Sequence, residues 1–299
     1  MDVARSIMLF ITSALLAALA FSPVAGAHGS GAPIVIGTSH LIKSRVLGDL
    51  RELNVWAPAG YANGNEKYAV LYVLDGGLDQ DFHHIAGLGQ LGELSGTFET
   101  LIVVGVRSYN RQREFTRPPR DPRFVRAFPH SGGAATFRSF LTDEVVPFID
   151  AHYRTAPRRA LMGESLAGLF VVDTLLTSAE SFDDYIAVSP SLWWDARALT
   201  RQAPSLLQRQ KLGNRRLYLT MANEGGVMQA GMDDLIAALK GFAVPGFSWR
   251  FVDRSTSETH ATIYHASALD ALRSFYHLPQ PDGPLPWFMI EGAEPPVVK

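Results

Sequence analysis

The stretch LMGESLAGLF, Leu161–Phe170, places one serine between small residues where an apolar segment gives way to a helical one. Ser165 has Gly163 and Ala167 two residues away on either side, and Gly168 adds a third small residue. A sharp turn between a strand and a helix needs small neighbours, and it leaves the serine hydroxyl clear of the backbone. This is the layout of a nucleophile elbow, with alanine in place of the usual last glycine. A serine at an ordinary helix N-cap is the competing interpretation.

Short apolar segments separated by helix-length stretches run along the chain and predict a parallel sheet covered on both faces. Before them, Leu50–Trp56 alternates apolar and polar residues as an antiparallel edge strand would. Helical spacing of apolar residues appears in 137–149, 231–239 and 266–276. The predicted fold class is therefore α/β, a doubly wound, mostly parallel sheet with an antiparallel N-terminal edge. The predicted parallel strands are Val70–Leu74, Leu101–Val106, Arg159–Met162, Tyr185–Val188, Arg216–Met221 and Phe247–Val252.

Residues 1–27 have the pattern of an export signal. Arg5 precedes the apolar run Ile7–Phe21, and Ala25-Gly26-Ala27 is a small-residue cleavage site. The run is short for a membrane span, which needs roughly 20 residues. An uncleaved anchor is the alternative, because Asp2 weakens the positive leader. We expect a periplasmic or secreted protein with one domain over 28–278, a proline-rich tail over 279–299 and no membrane span after cleavage.

The composition excludes several classes of protein. There is no cysteine, which excludes disulfides, thiolate metal sites and lipidation of a cysteine after the signal. A formal net charge of -2 argues against general nucleic-acid binding, which usually shows as a strongly basic domain. Roughly 270 mature residues suffice for one large hydrophobic core. The oligomeric state cannot be read from these features.

A catalytic serine needs a base within hydrogen-bond reach and an acid that holds this base in the right tautomer. With an elbow of this kind, the expected order along the chain is serine, acid, histidine. Three histidines follow Ser165. His260 lies in the polar loop SETHAT after the last predicted strand, whereas His265 and His277 fall within or at the end of a helix. His260 is therefore the predicted base, and the other two are read as surface or packing residues.

The predicted acid is Glu224, which follows the strand segment RRLYLTMAN directly. A solvated loop carboxylate is the alternative for this residue. Asp195 and Asp253 also lie near strand ends, and Asp233 and Asp234 are expected only as charges near a helix start.

Two backbone amides are expected to bind the oxyanion that forms when serine attacks a carbonyl. One is the amide of Leu166, directly after the serine. The other belongs to Gly76 or Gly77 in the segment LYVLDGGLDQ after the third strand. A plain tight turn is the competing explanation for these glycines.

Six segments together resemble the Putative esterase family of the α/β-hydrolase superfamily, which includes enterochelin (siderophore) esterases and, more distantly, the antigen 85 mycolyltransferases. The resemblance covers about 54–276 and implies an α/β-hydrolase fold over 28–278. It also implies that Ser165 and His260 match the family's serine and histidine, whereas the position of the acid varies. The segments are LYVLDGG, VVGVRSYNRQREFTRP, SGGAATFRSFLTDEVVPFID, LMGESLAGLF, SPSLWW and ETHATIYHASALDALRSF.

Three residues are candidates for substrate binding. Trp193 and Trp194 follow SPSL near a strand end, where their rings could line an acyl or aryl pocket or belong to the core, with one side chain in and one out. Arg107 begins an arginine-rich arm, 107–126, which would favour an anionic substrate if it covers the pocket. Local ion pairing is the alternative for this arm.

His83 and His84 lie beside Asp79 and Asp81, but their spacing does not converge on a metal. We read them as loop residues and predict no metal site.

The sequence therefore predicts an exported serine esterase that acts on a small-molecule ester through an acyl-enzyme on Ser165. The mechanism requires no metal and no organic cofactor. An acyltransferase with the same nucleophile, or a non-catalytic ligand-binding member of the fold, is the alternative.

Overall fold

The computed structural model describes residues 32–279 together with 289, 291, 292 and 294. The described residues from Ile36 onward form one compact unit, and residues 32–35 carry no helix or strand. The proposed export signal and most of the proposed tail lie outside the described residues. No helix in the part of the chain that is described is both long and apolar enough to span a membrane.

Eight strands form one sheet in the order β1-β2-β4-β3-β5-β6-β7-β8. All neighbouring pairs from β4 to β8 are parallel, and β2 is antiparallel to both of its neighbours. This confirms the predicted doubly wound, mostly parallel sheet. The strands are β1 Thr38–Lys43, β2 Leu50–Trp56, β3 Tyr68–Leu74, β4 Leu101–Val106, β5 Thr155–Glu164, β6 Asp184–Val188, β7 Arg216–Met221 and β8 Ser248–Asp253.

The predicted antiparallel N-terminal edge is confirmed, but it consists of two strands, and β1 rather than Leu50–Trp56 is the outermost. Strand β2 itself has the predicted bounds and direction. The outer strand escaped prediction because four of its six residues are exposed. An edge strand of this kind buries too little surface to leave an apolar pattern in the sequence.

Helices cover both faces of the sheet. The core on one face contains residues of α1 and α9, and the core on the other face contains residues of α2 and α4 to α8. The helices are α1 Phe82–Ser95, α2 Arg111–Phe115, α3 Pro122–Ala127, α4 Ala134–Phe140, α5 Val146–His152, α6 Leu166–Thr177, α7 Trp194–Leu207, α8 Gly226–Lys240 and α9 Ile263–Phe275. Single 3-10 turns occur at Ala59–Asn63 and Ala179–Ser181.

The helix predicted over 137–149 is interrupted. Helices α4 and α5 are joined by a π-helical segment, Leu141–Val145, in which the amide of Val146 donates to the Leu141 carbonyl. Pro147 at the start of α5 has no amide hydrogen, so a regular α-helical ladder could not pass through it. The apolar spacing that suggested one helix is preserved, since Phe137, Phe140 and Ile149 are all buried.

One buried carboxylate gathers donors near the amino ends of the parallel strands. Asp184, at the start of β6, is fully buried and accepts hydrogen bonds from Arg158, Arg216 and the Tyr276 hydroxyl. Burial opposes ionisation of Asp184, but the hydrogen bonds from the two arginines outweigh it and the pKa is lowered. This group connects β5, β6 and β7 to the residue that follows α9.

Candidate active site

Ser165 occupies the turn between β5 and α6 with φ 59° and ψ -118°. Few residues other than glycine adopt this backbone geometry, and it is the strained turn expected of a nucleophile elbow. Two glycines make the turn possible. A Cβ on Gly163 would lie 2.7 Å from the Ala167 Cβ, and one on Gly168 would lie 2.9 Å from the Val188 carbonyl oxygen. The small residues of the motif are therefore required where α6 packs against β5 and β6.

Ser191 fixes the serine from the neighbouring strand end. Its amide donates to the Ser165 carbonyl at 2.9 Å, and the hydroxyl oxygens of the two serines are 3.2 Å apart. The Ser165 amide in turn donates to the Val188 carbonyl at 3.0 Å. The elbow is thus held by hydrogen bonds to the end of β6 as well as by packing.

Glu224 and His260 are joined directly. His260 Nδ1 and Glu224 Oε1 form a hydrogen bond, while the Ser189 hydroxyl donates to Glu224 Oε2 at 2.6 Å. Both carboxylate oxygens of Glu224 are therefore engaged, and only 8% of its side chain is exposed. An acidic partner on Nδ1 selects the neutral tautomer whose lone pair is on Nε2. This is the tautomer that a general base requires.

The two loops that carry this pair are also tied together through the backbone. The amide of Asn223 donates to the Glu258 carbonyl at 3.0 Å, and the amide of Arg254 donates to the Met221 carbonyl at 2.9 Å. The loop after β7 and the loop after β8 are thereby held side by side. The Glu224–His260 pair thus has a backbone support of its own.

The pKa of His260 is raised, first by the hydrogen bond to Glu224 and only partly opposed by burial. The charge of Glu224 acts in the same direction. The pKa of His260 therefore lies above the value near 6.5 that is ordinary for a histidine.

The other acids considered from sequence lie elsewhere. Asp234 pairs with Arg197 at 2.9 Å, Asp195 accepts the amides of Arg120 and Asp121, and Asp253 accepts the amide of Ser255. The residue whose carboxylate contacts His260 is Glu224.

Ser165 and His260 line one open cleft at the carboxyl ends of the strands. No hydrogen bond joins these two residues, both of which are described; the Ser165 hydroxyl is directed to Ser191. Such bonds are often long in unliganded sites and shorten in the substrate complex. The arrangement therefore needs a rotation of the serine hydroxyl before proton transfer.

The amide of Gly76 is not available to an oxyanion. The prediction that Gly76 could supply the second oxyanion donor is therefore wrong. This amide donates to the Val106 carbonyl at 2.9 Å, and a Cβ at this position would lie 2.2 Å from Gly105. Gly76 is thus required for close backbone packing between β3 and β4. The amide of Gly77 donates to the side-chain oxygen of Gln80 at 2.9 Å, a partner that can rotate away. Leu166 begins α6, where the first amides have no partner within the helix.

The two tryptophans differ in burial, as expected for adjacent residues. Trp193 is half-buried, whereas Trp194 is 3% exposed and its indole donates to the Arg117 carbonyl at 3.1 Å. Trp194 also lines a cavity of about 280 Å³ between α6, α7 and residues 117–120. This cavity and the cleft of Ser165 have different lining residues.

Several arginines of the arm 107–126 form local ion pairs. Arg107 lies 2.9 Å from Asp79 and 3.6 Å from Glu52. Arg111 Nε donates to Asp75 at 2.8 Å, and Arg117 lies 3.0 Å from Asp173. For these three arginines, the local ion-pair interpretation holds.

The prediction that His83 and His84 are loop residues was wrong, because both lie in the first turn of α1. Apolar residues at helical spacing, Phe82, Ile85, Ala86 and Leu88, bury one side of this helix. The flanking acidic residues concealed that pattern. His84 contacts the rings of Tyr264 and His265 with centroids 4.9 and 5.4 Å away, and all three line the cleft.

Four residues of the site were not singled out from sequence as contributors to it. Ser189 and Ser191 flank Pro190 after β6, and Arg111 and Glu164 line the cleft. A signal existed for the serines, since the segment SPSLWW stands directly after a predicted strand end. A signal also existed for Glu164. It is the middle residue of the G-x-S motif and must therefore lie beside the nucleophile.

Three comparisons relate this chain to known proteins. A family model described as "Putative esterase" matches residues 44–261. The chain is 27% identical over 237 residues to the ferri-bacillibactin esterase BesA of Bacillus subtilis, covering 73% of this chain and 81% of BesA. It is 31% identical over 166 residues to the siderophore enterobactin esterase of Emericella nidulans, covering 50% of this chain and 54% of that protein. The crystal structure of an IroE-like serine hydrolase from Shewanella oneidensis is 29% identical, with a TM-score of 0.71 and 80% of each chain covered.

Proposed function

This chain belongs to the Putative esterase family, and from that premise we propose that it hydrolyses carboxylic esters through an acyl-enzyme on Ser165. The observation that carries the proposal is the hydrogen-bonded Glu224–His260 pair in the cleft of a serine at a strained elbow. Fold similarity alone would not be enough, because one scaffold hosts many chemistries.

In the first half of the reaction, His260 Nε2 takes the proton of the Ser165 hydroxyl as the serine oxygen attacks the ester carbonyl carbon. The carbonyl oxygen becomes an anion that accepts the amides of Leu166 and Gly77, the latter exchanging its bond to Gln80. The imidazolium of His260 then gives its proton to the departing alcohol oxygen. The acyl group remains on Ser165.

In the second half, His260 takes a proton from water, and the resulting hydroxide attacks the acyl carbon. Breaking the bond to Ser165 returns its proton from His260 and releases a carboxylic acid. Glu224 stays ionised and stabilises the imidazolium in both halves.

Siderophore-type esters are the proposed substrates. The support is that several relatives are named as siderophore esterases. Among them are a bacterial ferri-bacillibactin esterase and a fungal enterobactin esterase. Export with cleavage after Ala27 is proposed only from the pattern of residues 1–27. Cell fractionation tests the export, and a protein found only in the cytoplasm would contradict it. N-terminal sequencing of the exported protein tests the cleavage, and a retained Met1 would contradict that step.

The test of the proposed function is Ser165→Ala in the purified mature protein, assayed on p-nitrophenyl butanoate and on cyclic siderophore triesters by product mass spectrometry. We expect a loss of kcat of about 10³-fold or more. Labelling of wild type by a fluorophosphonate, absent in the variant, reports the nucleophile independently. Full retained hydrolysis by Ser165→Ala would end the proposal.

A further inference from the structure

The arginine that lines the cleft of the candidate nucleophile is already engaged in other contacts. Arg111 lines the cleft, but its Nε donates to Asp75, and its Nη2 is directed to the backbone carbonyl of Glu164 at 3.4 Å. Arg107, the cation expected to attract an anionic substrate, is paired with Asp79. The arm therefore offers the cleft less positive charge than its sequence suggested.

Glu164 differs from these two arginines, because it is acidic and its side chain is not paired within the described part of the chain. It directly precedes Ser165 and lines the same cleft as Ser165 and His260. Among the described residues, its carboxyl has no hydrogen-bond or ion-pair partner, although its backbone carbonyl does. A half-buried carboxyl group without a partner lies next to the bond that would be cleaved.

Burial raises the pKa of Glu164 to about 7, with further contributions from His260, Asp81, Arg111 and Asp75. Burial and the two aspartates favour the neutral acid, whereas the positive charges of Arg111 and of protonated His260 favour the carboxylate. Glu164 is therefore mostly ionised at pH 8 and mostly protonated at pH 6. An ionised carboxylate in this position would be stabilised by a cation supplied by a ligand.

We propose that Glu164 is a specificity-determining residue that favours esters whose acyl group carries a positively charged amine within a few bonds of the scissile carbonyl. The inference rests on the proposed ester hydrolysis by Ser165. It adds a charge preference to that function: among esters of similar shape, cationic ones are favoured over neutral ones, and neutral ones over anionic ones. This reverses the preference that the arginine-rich arm suggested from sequence.

The experiment compares two p-nitrophenyl esters of the same shape: 4-(trimethylammonio)butanoate, which is permanently charged, and 5,5-dimethylhexanoate, which is neutral. The measured quantity is the ratio of their kcat/KM values, cationic over neutral. Because both substrates require the same neutral His260, changes in the pKa of His260 cancel in this ratio. The ratio therefore reports the charge recognition and not the chemistry.

At pH 8 we expect Glu164→Gln to lower the ratio about tenfold. In wild type the ratio should fall towards the value of the variant between pH 8 and pH 6, while the ratio of the variant stays flat. Glu99→Gln is the matched control, because this exposed glutamate precedes β4 at the other end of the sheet. Its ratio should equal that of wild type.

An unchanged ratio in Glu164→Gln would overturn the inference, as would a fall in Asp81→Asn without one in Glu164→Gln. If Glu164→Gln does not fold, Glu164→Ala is measured in its place at pH 8, and an unchanged ratio in that variant refutes the role. Either failure leaves the proposed function intact when Ser165→Ala remains inactive. Activity retained by Ser165→Ala would instead refute that function.

Discussion

Glu224→Gln should lower kcat/KM by about 10²- to 10³-fold without unfolding the protein. In the transition state, the carboxylate of Glu224 faces an imidazolium. Unit charges about 4 Å apart interact by about 4 kcal/mol at an effective dielectric constant near 20. Because 44% of the His260 side chain is exposed, solvent screening reduces this to about 2 kcal/mol. Glutamine can also donate its amide to Nδ1 and so stabilise the wrong tautomer, which adds about a further tenfold.

The pH profile distinguishes this mechanism from a general loss of structure. In wild type, kcat/KM should rise as pH passes the pKa of His260, which lies above the ordinary 6.5 because of Glu224. Removal of the carboxylate takes away the largest cause of that shift, so the rising limb should move to lower pH. The plateau at high pH should remain low, because deprotonation does not restore the tautomer.

Glu258→Gln is the control for Glu224→Gln. This carboxylate lies two residues before His260 and accepts a hydrogen bond from Thr262, with no contact to the histidine among the described residues. We expect kcat/KM within about threefold of the wild-type value. The rising limb of its pH profile should lie at the same pH as in wild type. A Glu224→Gln enzyme with less than a threefold loss and an unchanged pH limb would refute the assigned role of the acid.

Two further substitutions test the supports of the site and of the sheet. Ser189→Ala removes the 2.6 Å bond to Glu224, and the loss of a hydrogen bond to a charged group should lower kcat/KM about tenfold; an unchanged value would show that Glu224 needs no second support. Asp184→Asn leaves Arg158 and Arg216 without their full counter-charge and should reduce the free energy of unfolding by about 3 kcal/mol in urea titrations. Because the pKa of Asp184 is lowered in the folded state, its contribution is present above the unfolded pKa and is lost as pH falls through the folded value. A loss below about 1 kcal/mol, or one independent of pH in the acid range, would contradict this account.

Much of the fold was predictable because buried parallel strands leave continuous apolar runs. The bounds of β4 and β7 agree with the predicted segments, and those of β8 differ by one residue at each end. The outer strand β1 was missed for the opposite reason, since a strand with one open edge and mostly exposed side chains leaves no such run. Pro147 likewise produced a π-helical segment that apolar spacing alone could not reveal.

The site was predictable where chemistry dictates residue type and order along the chain. Glu224 was chosen over four aspartates because it directly follows a strand, and the structure brings it to His260. Hydrogen-bond partners could not be chosen in this way. Nothing in the letters DGG distinguishes Gly76, whose amide belongs to the sheet, from Gly77, whose amide faces a side chain. The pairing of Arg107 and Arg111 likewise depends on loops that approach from distant positions.

Helix α9 has consequences for how this enzyme could be redesigned. It begins three residues after His260, and the residue following its last turn donates its phenol to Asp184 at the opposite rim of the sheet. The helix spans about 20 Å and is rigid, and its far end is held in place by the hydrogen bond from Tyr276 to Asp184. Because α9 cannot shift to make room, residues inserted between 260 and 263 would displace His260 instead.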